Sequence, residues 1–206
     1  LDQLSEWYPL LLLFIIPAIT MTTWADEKRA GTDELLFTLP ATDIEVLLGK
    51  YFAVLAVYTV ALIFSMSHVL VLTFLGNPDP GLIASTYFGY WMAGAALLSA
   101  GMVGSMLTSS TAVAFILGVV ICGIPVFIGE LGQLIDSVVG WASFRMGLTE
   151  TVAGGGWGMR EWFGNLGLRE QFRDFGMGVI SLSSVVYFLL FTAFMLFLNL
   201  VLISRR

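Results

Sequence analysis

Charge is what this sequence has least of. Asp, Glu, Lys and Arg make up 12% of its 206 residues, whereas 58% are hydrophobic. A soluble domain carries about 25% charged residues, so the chain reads as an integral membrane protein. Cations are the scarcer sign: nine Lys and Arg stand against fifteen Asp and Glu, for a net charge of −6. That balance excludes nucleic acid as a partner, because phosphate contacts need clustered Lys and Arg. The single cysteine, Cys122, excludes an internal disulfide, a cysteine zinc site and an iron–sulfur cluster. The single histidine, His68, excludes bis-histidine haem ligation and HExxH zinc hydrolysis. No G-x-x-x-x-G-K-[ST] loop occurs, so any nucleotide site belongs to another polypeptide.

Long apolar runs fill the space that charge leaves. Five reach the length of about 17–25 helical residues needed to cross a hydrocarbon core: Tyr8–Trp24, Tyr51–Leu75, Leu82–Leu107, Thr111–Gly129 and Val185–Ile203. A transmembrane barrel would show many alternating segments of about ten residues instead. The expected fold is all-α, a polytopic membrane helix bundle forming one transmembrane domain over residues 1–206. Asp2 and Glu6 precede the first run, where a signal peptide would carry positive charge. Short-loop cations set the orientation. Lys28, Arg29 and Lys50 lie between the first two runs, and Arg205 and Arg206 follow the last. With five spans those places share a side, the cytoplasmic one, and residue 1 is external. An even-spanned parent follows, with a sixth helix expected ahead of Leu1.

Residues 25–50 form a patterned cytoplasmic loop, ADEKRAGTDELLFTLPATDIEVLLGK. Thr32 can cap a short helix whose first turn holds Asp33 and Glu34, the charge sign that a helix N-terminus prefers. That helix runs through Leu35, Leu36 and Phe37 and stops at Pro40. Thr42 and Glu45 have the spacing of a capping box for the next helix. Either the short helix lies in the membrane interface for its own sake, or it docks a protein. Its acidic character favours docking, because surface-lying helices are normally rich in Lys and Arg.

The external segment, residues 130–184, mixes polar and apolar chain. Leu131, Leu134, Ile135, Val138 and Val139 recur at helical spacing, with Gln133 and Asp136 opposite. Gly154, Gly155 and Gly156 break the chain, and Leu168–Phe175 reads as a short helix with Phe172 and Phe175 on one side. It caps the outer mouth of the bundle or handles substrate. Ala96, Ala100 and Gly104 make a small-xxx-small stripe, suited to close helix packing inside the bundle or to a dimer seam. Tyr87, Phe88, Tyr90 and Trp91 gather near the outer end of the third run. They read as an interfacial belt, or as a surface for amphiphilic cargo. His68, beside Ser65 and Ser67, and Asn199 read as satisfied polar contacts between or within helices.

The stretch PAITMTTWADEKRAGTDELLFTLPATDIEVLLGKY resembles the permease subunits of ABC-2-type transporters, nearest the gliding-motility-associated, GldF-like branch. The residues carrying the likeness are Pro17, Met21, Glu27, Gly31, Thr32, Glu34, Leu35, Pro40, Asp43, Gly49 and Lys50. YFGYWMAGAALLSAGMVGSMLTSS and FRDFGMGVISLSSVVYFLLFTAFMLFLNLVLISRR are similar to the fourth and sixth helices of that family. Thr22, where relatives often have Arg, Asp33, where an apolar residue is usual, and the Ser109–Ser110 turn depart from the pattern.

The resemblance implies a six-helix half-transporter of the bacterial inner membrane, with no catalytic residue and no metal of its own. A second permease copy or homologous permease would complete the path. A cytoplasmic ABC ATPase would bind ATP and Mg, an external accessory protein could join, and lipid surrounds the whole. Gly31–Leu39 would be the coupling helix, and the residues expected to meet the ATPase are Gly31, Thr32, Asp33, Glu34, Leu35, Leu36, Phe37 and Pro40. The alternatives are an assembly or anchoring subunit, an ATP-independent transporter, and an intramembrane enzyme. The last two are disfavoured because the span interiors carry no charge, no repeated half is visible, and His68 has no carboxylate in its span.

Overall fold

The computed structural model describes residues 2–32, 42–76, 79–145, 164 and 166–205. All regular structure among them is helical. The chain opens with α1 (Asp2–Thr20) and α2 (Thr22–Ala30), then α3 (Asp43–Ser65) and α4 (Ser67–Leu75). It continues with α5 (Pro80–Met106), α6 (Thr111–Arg145), α7 (Leu168–Gly176) and α8 (Leu182–Ser204). Five stretches among the described residues are long and apolar enough to span a bilayer: Trp7–Ala30, Asp43–Leu75, Pro80–Met106, Thr111–Gly132 and Leu182–Ser204. The chain is a multi-pass helical membrane bundle.

Helix α5 is the axis of the bundle. Every residue from Met92 to Met106 is buried, and α1, α2, α3, α6, α7 and α8 all pack on it. Its small residues make this possible, each admitting a different neighbour. A Cβ on Gly104 would lie 2.7 Å from the backbone nitrogen of Gly118 on α6, and one on Gly89 would lie 2.6 Å from Phe175 Cβ on α7. A Cβ on Gly94 would overlap the Tyr58 ring of α3. Ala96 and Ala100 are fully buried on the same helix. Asn199 of α8 donates from Nδ2 to the Ser99 carbonyl at 3.0 Å and to Met195 O at 2.9 Å, so it joins α8 to α5.

Three boundaries differ from the sequence expectation. The first run does not end at Trp24, because helix continues through Asp26–Arg29 to Ala30. The charges there are accommodated in place: Arg29 pairs with Asp26 at 3.2 Å, Lys50 pairs with Glu27, and Lys28 reaches the Met106 carbonyl. The second helix begins at Asp43, eight residues before Tyr51, under the capping box of Thr42 and Glu45. Helix therefore takes 25–30 and 43–50 of the expected loop and leaves residues 31–42 between α2 and α3. The fourth run does not end at Gly129: α6 continues to Arg145 as one helix of 35 residues, taking with it the start of the segment expected to be external. At about 1.5 Å per residue it is longer than the ~30 Å hydrocarbon core.

One end of the bundle is covered by α7. Leu168, Phe172 and Phe175 are buried, whereas Arg169 and Arg173 pair with Glu130 and Glu170. Gly154–Gly156 lie outside the described residues.

Candidate functional site

The two helices that flank residues 31–42 meet at one place. Helix α2 ends in a Schellman arrangement: Gly31 adopts φ +68°, its N–H donates to Lys28 O at 3.2 Å, and Thr32 N–H donates to Glu27 O at 3.0 Å. The left-handed conformation there suits Gly, which has no Cβ to clash. The Thr32 hydroxyl also donates back to Glu27 O at 3.3 Å, so Thr32 finishes α2. The helix that Thr32 was expected to cap falls on residues outside the described ones.

Lys50 ties α3 to α2. Its Nζ donates to the Thr23 carbonyl at 2.9 Å and to the Glu27 carboxylate, and it stands 4.5 Å from the centroid of the Trp24 ring. Trp24 is 1% exposed. A cation that meets a carboxylate, a carbonyl and an indole face is held by three attractions whose geometries agree. The two helices that flank the 31–42 segment are thereby clasped to each other.

The clasp rests on α5. Helix α2 starts after an interruption at Met21, and the first amides of any helix lack partners within it. Ser105 of α5 meets this need: its Oγ accepts from Trp24 N–H at 3.0 Å and Ala25 N–H at 3.2 Å, and donates to Met21 O at 2.9 Å. One hydroxyl thus uses both its acceptor capacity and its donor. Lys28 adds a second tie from α2 to the end of α5 at the Met106 carbonyl.

Of the expected ATPase-facing residues, Gly31 and Thr32 are exposed at the end of α2. Asp33, Glu34, Leu35, Leu36, Phe37 and Pro40 lie outside the described residues. Ala96, Ala100 and Gly104 are buried within the chain, with Gly104 against α6. Sequence reasoning used Lys28 and Lys50 for orientation, Lys50 also within the motif, and Trp24 only as the end of the first run, and it missed Ser105. Nothing in Gly104-Ser105-Met106 announces a serine that serves a helix eighty residues earlier.

A second cluster lies toward the other end. The Tyr8 ring stacks on Tyr90 at 3.5 Å between centroids, and Tyr90 stacks on Phe172 at 5.3 Å. Tyr58 Oη donates to Tyr90 O at 2.7 Å and lies 3.1 Å from Tyr8 Oη. Trp91 Nε1 donates to Thr59 Oγ1 at 3.0 Å. The residues read as an interfacial belt or a cargo surface are therefore split: Tyr90 and Trp91 serve helix contacts, whereas Phe88 is 37% exposed. His68 contacts the Ser65 carbonyl and lies 3.2 Å from the Tyr87 hydroxyl, as expected of a satisfied polar contact. Among the described residues no group of His, Cys, Asp or Glu could hold a metal ion.

No curated protein and no solved structure matches the chain. The family model described as ABC-2 family transporter protein matches residues 3–149, which covers α1 to α6 together with the clasp. Permeases of that family generally work with a cytoplasmic ABC ATPase. Multi-pass helical architecture and a family match over well over half its length agree, and the chain belongs to the ABC-2 family of transporter proteins as the membrane component of an ABC transporter.

Proposed function

We propose that the chain is a permease subunit of the gliding-motility-associated, GldF-like type in a bacterial inner membrane. It pairs with a second permease, and its residues 31–39 receive a separate ATPase that binds ATP and Mg. The observation that carries this reading is the clasp: Lys50 fastens together the two helices that flank the 31–42 segment, and Ser105 seats α2 on α5. A segment held this way passes displacement inward. A tether would not need its ends joined. Pairing is supported by the outer face of α6, where Ile116, Val120, Ile124, Leu131, Leu134 and Val138 are exposed. From Ile124 onward these recur with Phe127 at the alternating three- and four-residue spacing that helix seams use.

Orientation is tested with single cysteines in a Cys122→Ser background. Arg173→Cys should label with an impermeant thiol reagent applied to intact cells, and Ala30→Cys and Ser204→Cys should not. Labelling at Ala30 would put the clasp on the wrong side for an ATPase.

Docking is tested by co-purification of the ATPase. Removing a buried leucine side chain from a packed contact costs about 2–5 kcal/mol, whereas a solvated surface ion pair is worth about 0–1 kcal/mol. Leu35→Ala or Leu36→Ala should therefore reduce association more than Glu34→Gln. Undiminished association and coupled hydrolysis in all three variants would leave the segment without a docking role.

A further inference from the structure

We propose that Ser105 is a positioning residue for energy coupling, the joint through which displacement of residues 31–42 enters α5. The proposal rests on the permease reading above. Its own ground is the interruption at Met21. Helix α1 and helix α2 are separate at that point, and what bridges the gap includes a side chain from a third helix. A polar side chain that inserts at a helix break gives it a defined bend. Here the hydroxyl holds Met21 on one side of the break and Trp24 and Ala25 on the other. Swinging α2 relative to α1 must lengthen one of those bonds or drag Ser105 along.

The surroundings make dragging the easier outcome. Ser105 is fully buried, and the next residue, Met106, accepts from Lys28 of the same short helix. Lys50 makes α3 share the motion of α2 through Glu27 and Thr23. The helix that receives the pull is the one on which α1, α6, α7 and α8 pack. A one-hydroxyl joint at this position converts a swing at the membrane face into a shift of the bundle's axis. In the absence of the hydroxyl α2 still moves with its loop, but the axis no longer follows.

The test uses the full-length permease with its ATPase in nanodiscs, spin-labelled in a Cys122→Ser background. One label pair, Ala30→Cys with Ser204→Cys, reports the loop end. A second pair, Ser137→Cys with Arg173→Cys, reports the outer end, where α6 and α7 meet. With Ser105 present, both distances should change between the nucleotide-free and the ATP–vanadate-trapped states. Ser105→Ala should keep the change at the loop end and lose it at the outer end, and Ser105→Thr, which keeps the hydroxyl, should restore it. An outer-end change as large in Ser105→Ala as with serine overturns the proposal. Loss of both changes also overturns it, since Ser105 would then act in docking. Hydrogen exchange on the unmutated protein does not depend on how Ser105→Ala folds. Peptides covering 22–30 should stay equally protected in both nucleotide states, because the Ser105 bonds are carried and not broken, and exchange at least tenfold faster in one state while the outer pair moves would overturn the joint. A permease that captures no ATPase overturns the permease reading and the joint together.

Discussion

Gly104→Ala should destabilise the bundle by about 1–3 kcal/mol, the range for overpacking a filled interior. The new methyl would meet the backbone nitrogen of Gly118 at 2.7 Å and its Cα at 2.9 Å. Backbone cannot rotate aside as a side chain can, so α5 and α6 must separate along their contact. Gly104→Val should go further and yield protein that inserts but does not hold its fold in mild detergent. Gly49→Ala is the control. Gly49 sits in α3 with nothing within 4 Å of a Cβ, and Ala is favoured over Gly in a helix by about 1 kcal/mol. Steric trapping in bilayers, or thermal unfolding followed by size exclusion, gives the comparison. Equal stabilities for the two alanine variants would mean that the α5–α6 contact is looser than described.

The second large effect concerns the clasp. Lys50→Met leaves the Glu27 carboxylate and the Thr23 carbonyl without their cation. Breaking a fully buried ion pair costs about 3–5 kcal/mol, and exposed pairs are worth about 0–1 kcal/mol. The Lys50 side chain is 16% exposed and that of Glu27 34%, so an intermediate loss of about 1–3 kcal/mol is expected. Glu27→Gln should cost less, because Lys50 retains Thr23 and the Trp24 face. The double variant should recover part of the loss, since no uncompensated carboxylate remains, and the double-mutant cycle isolates the pair. Additive losses would show that the two side chains are independent.

The spans were legible because length and apolarity are local properties: the five runs correspond to the five stretches, among the described residues, long and apolar enough to cross a bilayer. The capping box at Thr42 and Glu45 and the buried face of Leu168–Phe175 were legible for the same reason, since a cap needs three residues of spacing and an amphipathic helix needs two turns. The end of the first span was not. Asp26-Glu27-Lys28-Arg29 reads as loop by composition, and it stays helical because Lys50 donates to Glu27 and the Met106 carbonyl, far along the chain, accepts from Lys28. The belt reading of Tyr90 failed similarly: its stacking partners, Tyr8 and Phe172, come from opposite ends of the sequence. Ser105 was the least legible of all. A buried serine in a run of small residues carries no signature of which backbone it will serve.

The composition of α5 has a consequence for how the protein is made. Of the five span-length stretches among the described residues it is the least apolar, and it is also the most enclosed. Its Gly, Ala, Ser and Thr residues let neighbours approach, but they give a nascent helix little reason to leave the translocation channel sideways into lipid. Helices α3 and α8, apolar nearly all round, can partition by themselves; α5 gains most of its hold from company. Biogenesis would then retain α5 beside the channel until the flanking helices are there to receive it. The segment around which the bundle is built is the one that oil alone would hold least readily.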